Sequence, residues 1–432
     1  MFTSLSGPHR AACCSTVGLI AALFLAIPGP AAAYEIQVNT TIENAQYQPS
    51  VAGASTGYAL ATWVSFDSGE RIRGRFFDRD GAPLGPDFVV STGTSNNEHP
   101  VAVATPEEEF VVLWEAGGRY SIWHRRYLAD GTPAGAEVEL VPASCYYGCC
   151  SDLYNLEPKG ALSANGNLLL VWVHQEVCEE FPDWYCTSSV EAQLFAPDLT
   201  PLGPRLTLEL VPDQLFNCIP ASHWDPEVTL SPAGEFLVTT LDRTSSELDG
   251  RRFSTEDAAL LGDFQVSLAG APNSHSVLAG SDRLMAAVET TARDIVVQSF
   301  LSAGAPLGTE WVSTVAADNA IPMVVGDVSG DLVVAWHMSW WGSGSTHTAI
   351  RSRRISWDLD LLGPERRVDT LTGAWISGLA SAPGIIMWAS SVSSGDDDSG
   401  ACIRGSFHAP LFLDGVETGD TSAWSLTIPY GE

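Results

Sequence analysis

The chain has 432 residues, with 21 Lys+Arg against 52 Asp+Glu and a formal charge of -31. That acidity excludes a basic nucleic-acid binder, because nothing would neutralise a phosphate backbone. A hydrophobic content of 45% is ample for a buried core, which excludes wholesale disorder.

The first segment reads as an address. Residues 1–10 carry a single cation, Arg10, and Val17 to Ile27 form an apolar run too short to span a bilayer comfortably. Pro28-Gly29-Pro30 breaks that run, and Ala31-Ala32-Ala33 supplies a small-x-small cleavage pattern. Residues 1–33 are therefore expected to be a secretory signal peptide, cut after Ala33. Cys13 and Cys14 precede the apolar run, so neither stands where a lipoprotein cysteine would. Cleavage leaves 399 residues, a charge of -32 and seven of the nine cysteines. No later apolar run is long enough for a transmembrane segment, and the expected location is secreted or at the cell surface.

The remainder repeats. Trp63, Trp114, Trp172, Trp336 and Trp388 each end a short apolar run, such as ALATW or FVVLW. A proline stands fourteen residues before the first four: Pro49, Pro100, Pro158 and Pro322. The same register places Pro226 before Thr240 and Ser274 before Val288, giving seven copies with that of Trp388. Gly57, Gly166, Gly234 and Gly330 lie six residues before their anchors. A second anchor follows in most copies: Phe77 to Gly85, Tyr127 to Gly135, Phe195 to Gly203, Phe300 to Gly308 and Ile355 to Gly363 are eight residues apart, and Phe253 to Gly262 is nine. Each copy thus holds four short β-prone runs separated by Gly/Pro/Asp turns. Four-stranded units of about 50 residues have the period of propeller blades. The expected fold is an all-β, seven-bladed β-propeller over residues 34–410. Copy seven lacks a clear fourth strand, and residues 35–40 match the fourth strands of other copies. The N-terminal strand is expected to close the last blade and leave no open edge.

This pattern resembles secreted bacterial β-propeller proteins with repeats of the form P-x-V-A…G-x-x-V-x-W…R-x-F-x-x-x-G-x-P-x-G. The resemblance spans roughly residues 34–407 and implies the architecture, not an activity. Residues 411–432 form a C-terminal tail. Phe412 to Ser425 resembles an FxDGxExGDTSxWS tail of secreted bacterial proteins, which implies a sorting or surface tag. A short extension packed on the disc is the competing reading.

Length varies only in the connections that share one face of the disc. The stretches 142–157, 174–190, 212–225 and 337–349 are long, and loops that grow on one face of a rigid scaffold are where binding resides. They carry Tyr146, Tyr154, Trp184, Tyr185, Trp224, Trp340 and Trp341, the candidate ligand-binding residues. Exposed aromatics must cover each other or meet a partner. They form either a small satellite core or a platform for sugar rings or a protein. Six cysteines fall in the same stretches: Cys145, Cys149, Cys150, Cys178, Cys186 and Cys218. Disulfides are expected in an exported chain. Six cysteines allow about 15 pairings, of which Cys178–Cys186 is the easiest local one; a zinc site is the rival. Cys402 is left over. Asp396 and Asp398, in an Asp-Asp-Asp run, are the candidate Ca²⁺ ligands. A solvated charge run competes there, since three consecutive acids cannot all point one way.

No catalytic residue is assigned. GxSxG, HExxH and P-loop motifs are absent, and His174-x-Glu176 is too weak to count. Arg75, Arg126, Arg252, Arg354 and Arg404 occupy one repeat region on the third strands, so repetition makes them structural. The first strands, read from Val51 onward, line the channel with few acids or bases. The expectation is a secreted, monomeric, non-enzymatic binding propeller whose partner is a glycan or a cell-surface protein. The alternatives are a sialidase-like glycoside hydrolase or lyase and a structural surface or adhesion module.

Overall fold

In a computed structural model the chain forms seven four-stranded antiparallel sheets, a seven-bladed β-propeller. The structure describes residues 34–407 apart from short internal segments, the longest being 144–149, 216–225 and 393–400. No helix occurs among the described residues. The predicted signal peptide, the C-terminal tail, and Cys145, Tyr146, Cys149, Cys218, Trp224, Asp396 and Asp398 lie outside them.

The constant proline-to-tryptophan spacing is the first hairpin of each blade. In blade one, strand Gln46–Gly53 turns into strand Ala59–Phe66, and the turn closes with Gly57 N–H donating to the Ala54 carbonyl at 2.9 Å. Gly57 has φ 92°, in the left-handed region where a side chain is strained, which is why glycine recurs there.

Each anchor tryptophan fills the gap to the preceding blade. Trp63 packs with Ile385, Met387 and Ile403 of blade seven, and Trp114 with Leu60, Val64 and Ile72 of blade one. Trp172 meets Val103 and Leu113 of blade two, and Trp336 meets Met285 and Val297 of blade five. Trp388 meets Ala335 and Ile350 of blade six. All five indoles are fully buried. Truncating such a side chain to alanine costs about 3–5 kcal/mol.

The polar end of the indole has its own partner, which the repeat reading missed. Trp63, Trp172 and Trp336 donate their Nε1–H to the side-chain oxygens of Gln46, Asn155 and Asn319, at 2.6, 3.1 and 3.0 Å. Each carboxamide stands seventeen residues before its tryptophan and is itself buried. Meeting that donor removes the cost of burying it unpaired; the fully buried Trp388 is the exception, its Nε1 having no hydrogen-bond partner.

The ring closes as the sequence predicts. Strand Tyr34–Gln37 pairs antiparallel with strand Ala401–Phe407, from Tyr34 opposite Phe407 to Gln37 opposite Arg404. Past the strand, Val38 N–H donates to the Ile403 carbonyl at 2.8 Å, and Ile403 N–H to Asn39 Oδ1 at 2.9 Å. Arg75 of blade one donates to the Val38 carbonyl at 2.8 Å, tying the first blade to the last.

Two outcomes test this frame. Deleting residues 34–41 is expected to lower the melting temperature and expose a strand edge that promotes aggregation; an unchanged transition would remove the strand from ring closure. Asn319→Ala is expected to cost about 1–3 kcal/mol through the orphaned indole N–H. That cost should shrink when Trp336→Phe is already present, measured as a double-mutant cycle by denaturant unfolding.

Candidate functional site

The long connections turn out to be taller blades. In blade three the strands Cys150–Leu162, Leu168–Glu180 and Asp183–Phe195 each run 13 residues, against 8 or fewer in blades one and two. In blade six Leu332–Gly342 and Ser345–Ile355 run 11 each. Much of the sequence expected to be loop at 150–157, 174–190 and 337–349 therefore continues the ladder, because each hairpin keeps pairing beyond the disc. Trp184, Tyr185 and Trp341 lie within these strands. Tyr154 is half-buried, opposite Gln175. Trp340 is half-buried, packs against the core around Trp336 and stacks on His347 at 5.4 Å, so one face of that ring is covered. Cys150 lies opposite Cys178 in the ladder, whereas Cys186 lies opposite Val177. Cys402 is buried in blade seven.

Between the blades, a repeated backbone device shapes the mouth of the central channel. In blades one, two, three and six, the residue before the anchor proline has a positive φ: Gln48 (48°), His99 (47°), Glu157 (52°) and Ile321 (53°). The first strand slips register against the second at the same place, as between Glu98 and Val101. Proline has no N–H for the ladder, and its ring disfavours a helical residue ahead of it. The strand bulges instead, and a bulge re-aims a side chain. These four residues, with Lys159, Glu227 and His275, line a cavity of about 530 Å³. Deeper in the channel the walls are small, with Gly53, Ala104, Gly160, Ala161, Gly326 and Ala382.

The mouth is polar and acidic. Lys159 bridges to Glu227 of blade four at 2.9 Å. Gln48 accepts the His99 backbone N–H at 2.9 Å, and its Nε2 lies 2.8 Å from His99 Nε2. That orientation makes His99 Nε2 an acceptor and puts the ring proton on Nδ1, which lies 2.9 Å from Glu115 Oε1. Glu115 Oε1 also accepts the Glu157 backbone N–H. Glu115 Oε2 is buried with no hydrogen-bond partner. Glu98 stands directly opposite Glu115 in the ladder. Behind them, Tyr47 donates its hydroxyl to Glu70 at 2.7 Å.

Burial alone would lower the His99 pKa, but Glu115, with Glu157 and Glu98, outweighs it and the net pKa is raised. The Glu98 carboxyl is also raised, first by burial and then by Glu70 and Glu115, with His99 opposing. The cluster holds several carboxylates with little positive charge between them.

The repeated arginines sit elsewhere, as their repetition predicts. Arg75 Nε donates to the Gly85 carbonyl at 2.7 Å, and Arg126 bridges to Glu109 at 2.7 Å. Arg252 pairs with Glu235 at 3.3 Å and Arg354 with Asp331 at 2.9 Å. None of them lines the mouth. His174 and Glu176 are in contact at 3.2 Å but both are buried, and Asn155 holds His174 Nδ1 at 2.8 Å. The residues ahead of the prolines escaped the sequence reading, which began the first strands one to nine residues too late. The available signal was the residue before each anchor proline, which changes from copy to copy.

No protein-family model matches this chain, and no curated protein matches it. Solved structures do. A protein of unknown function from Dyadobacter fermentans is 8% identical, with TM-score 0.47, over 88% of this chain and 99% of that one. A Hadza microbial sialidase is 10% identical, with TM-score 0.43, over 71% of this chain and 65% of that one. A GH43 endo-arabinanase from Bacillus licheniformis is 10% identical, with TM-score 0.35, over 71% and 92%. Likeness at this level carries nothing about the chemistry of a site.

A raised carboxyl pKa makes the folded protein hold a proton at Glu98 more readily than the unfolded chain does. That stability is present below the unfolded value and lost as pH rises through the folded one. Glu98→Gln, fixed in the neutral form, is expected to gain about 0.5–1 kcal/mol at pH 8 by relieving the cross-strand repulsion. No gain is expected at pH 4, read by chemical denaturation in metal-free buffer.

Proposed function

We propose that this protein is an exported, non-enzymatic binding propeller, and that its ligand is a neutral glycan seated in the channel mouth. The observation that carries this reading is the bulge ring: Gln48, His99 and Glu157 present donors and acceptors at one level around a small-walled well. Fixed polar groups over an apolar floor suit a polyhydroxyl ligand, whose hydroxyls both donate and accept. The charge supports the choice of ligand. Among the described mouth residues the only side chain with a permanent positive charge is Lys159, and it is paired with Glu227. An anionic sugar would meet glutamates there, not an arginine cluster. A tall hairpin such as that of blade six, with Trp340 half-buried on it, offers further contact surface. A cell-surface protein would reach the mouth through the glycan it carries.

Hydrolysis is the second reading, and what favours it is a pair of carboxyls, Glu98 and Glu115, opposite each other in the ladder beside the mouth, with burial pushing Glu98 toward the protonated form a general acid needs. Against it stands spacing. Carboxyls flanking a glycosidic bond stand about 5–10 Å apart, whereas ligand atoms of Glu98 and Glu115 approach within 4.8 Å.

A glycan array probed with the mature chain is expected to retain neutral oligosaccharides and not sialylated or uronate ones. Gln48→Ala combined with Lys159→Ala should weaken that binding at least about tenfold, the loss of one or two hydrogen bonds to a charged or polar partner. Equal retention by variant and parent would sink the mouth as the site. Release of reducing sugar from any arrayed glycan, abolished by Glu98→Gln, would replace binding with hydrolysis.

A further inference from the structure

The carboxylates beside the mouth, next to His99, have an unmet need. Glu98 and Glu115 stand directly opposite each other on the first two strands of blade two, Asn97–Ala104 and Phe110–Ala116. Like charges placed so are destabilising. The Glu115 side chain is only 1% exposed, yet its Oε2 has no hydrogen-bond partner. A buried carboxylate oxygen is expensive to leave so. Among the described residues no Lys or Arg pairs with either carboxylate; what both face is the His99 ring, whose Nδ1 lies 4.0 Å from Glu98 and 2.9 Å from Glu115. Ligand atoms of Glu98, His99 and Glu115 all lie within 4.8 Å of one another, close enough for small side-chain rotations to bring them around one ion. Glu98 and His99 are each about a third exposed, so an ion has a path in from solvent.

We propose that Glu98, His99 and Glu115 form a binding site for one borderline divalent metal ion of the zinc class. The donor set decides the class. One imidazole with two carboxylates suits Zn²⁺. Ca²⁺ wants six to eight oxygens, more than this site offers. The two glutamates neutralise the ion, and the ion supplies what the orphaned oxygen lacks. Ligation through His99 Nδ1 moves the ring proton to Nε2. The Gln48 carboxamide, which now donates to Nε2, must then turn over and accept, releasing the His99 backbone N–H. Metal occupancy and the conformation of one mouth residue are thereby coupled.

The metal site stands whether or not the mouth takes a glycan, so it is tested without glycan. The mature chain is treated with a chelator, dialysed, and titrated separately with Zn²⁺, Mn²⁺ and Ca²⁺ by calorimetry and thermal melting. One equivalent of Zn²⁺ is expected to bind with micromolar or tighter Kd and to raise the melting temperature, with Ca²⁺ at least tenfold weaker. Glu98→Gln and His99→Gln should each weaken Zn²⁺ at least tenfold; Glu115→Gln should do the same, and the two more exposed variants carry the test if it fails to fold. Glu98→Gln has a further signature: it stabilises the metal-free protein while removing the metal-induced rise. Asp396→Asn with Asp398→Asn should leave the Zn²⁺ equivalent intact. Absence of Zn²⁺ binding, binding unchanged in Glu98→Gln and His99→Gln, or preference for Ca²⁺ would each overturn the proposal.

Discussion

A four-stranded sheet of this size cannot cover its own faces, so every blade depends on the next. In five of the seven blades a buried indole at the anchor is how that dependence is met. It belongs to one blade by sequence and to the previous one by contact, and Trp63 extends the relation from blade one back to blade seven. Such a chain of dependences is stable only if it has no loose end. The strand Tyr34–Gln37 supplies the end, pairing with Ala401–Phe407 across almost the whole length of the sequence. The ring therefore holds its channel at a fixed diameter, and side chains from different blades meet at fixed heights.

The parts of this arrangement that are repeated were legible in the sequence. The fourteen-residue interval from Pro49 to Trp63 is a hairpin with a left-handed turn at Gly57, and its recurrence counts the blades. The missing fourth strand of copy seven and the match of residues 35–40 placed the closure correctly. The parts that are not repeated were not legible. The stretch from His174 to Val190 reads as HQEVCEEFPDWYCTSSV, without the alternation that marks a half-buried strand, yet it is a paired hairpin. Its ladder is set by the regular blade beneath it, not by its own pattern.

The mouth was hidden for a related reason. A search for recurrence attends to Pro49, Pro100 and Pro158 and passes over the residue in front of each. Those residues, Gln48, His99 and Glu157, differ because the backbone position is shared and the chemistry is not. The same bulge that the proline imposes turns each variable residue toward the axis. Glu115 was hidden differently. It follows an anchor tryptophan directly, where a polar residue reads as the solvent side of a strand, and the structure buries it. No periodicity separates a buried glutamate from an exposed one; only the neighbours across the ladder do.

Composition, which first appeared as a global excess of acid, becomes local at the mouth. Of the 21 cationic side chains, a single one is lysine, and it is Lys159. Its ammonium stands at the channel mouth, partly exposed and facing Glu227. An amine-directed reagent therefore meets one side chain on the whole molecule, and that side chain is in the cavity. Acylation would cancel its charge and leave Glu227 alone, while a fluorophore or cross-linker attached there would report from inside the well. Among its side chains the protein carries one such handle, on the surface whose occupancy matters.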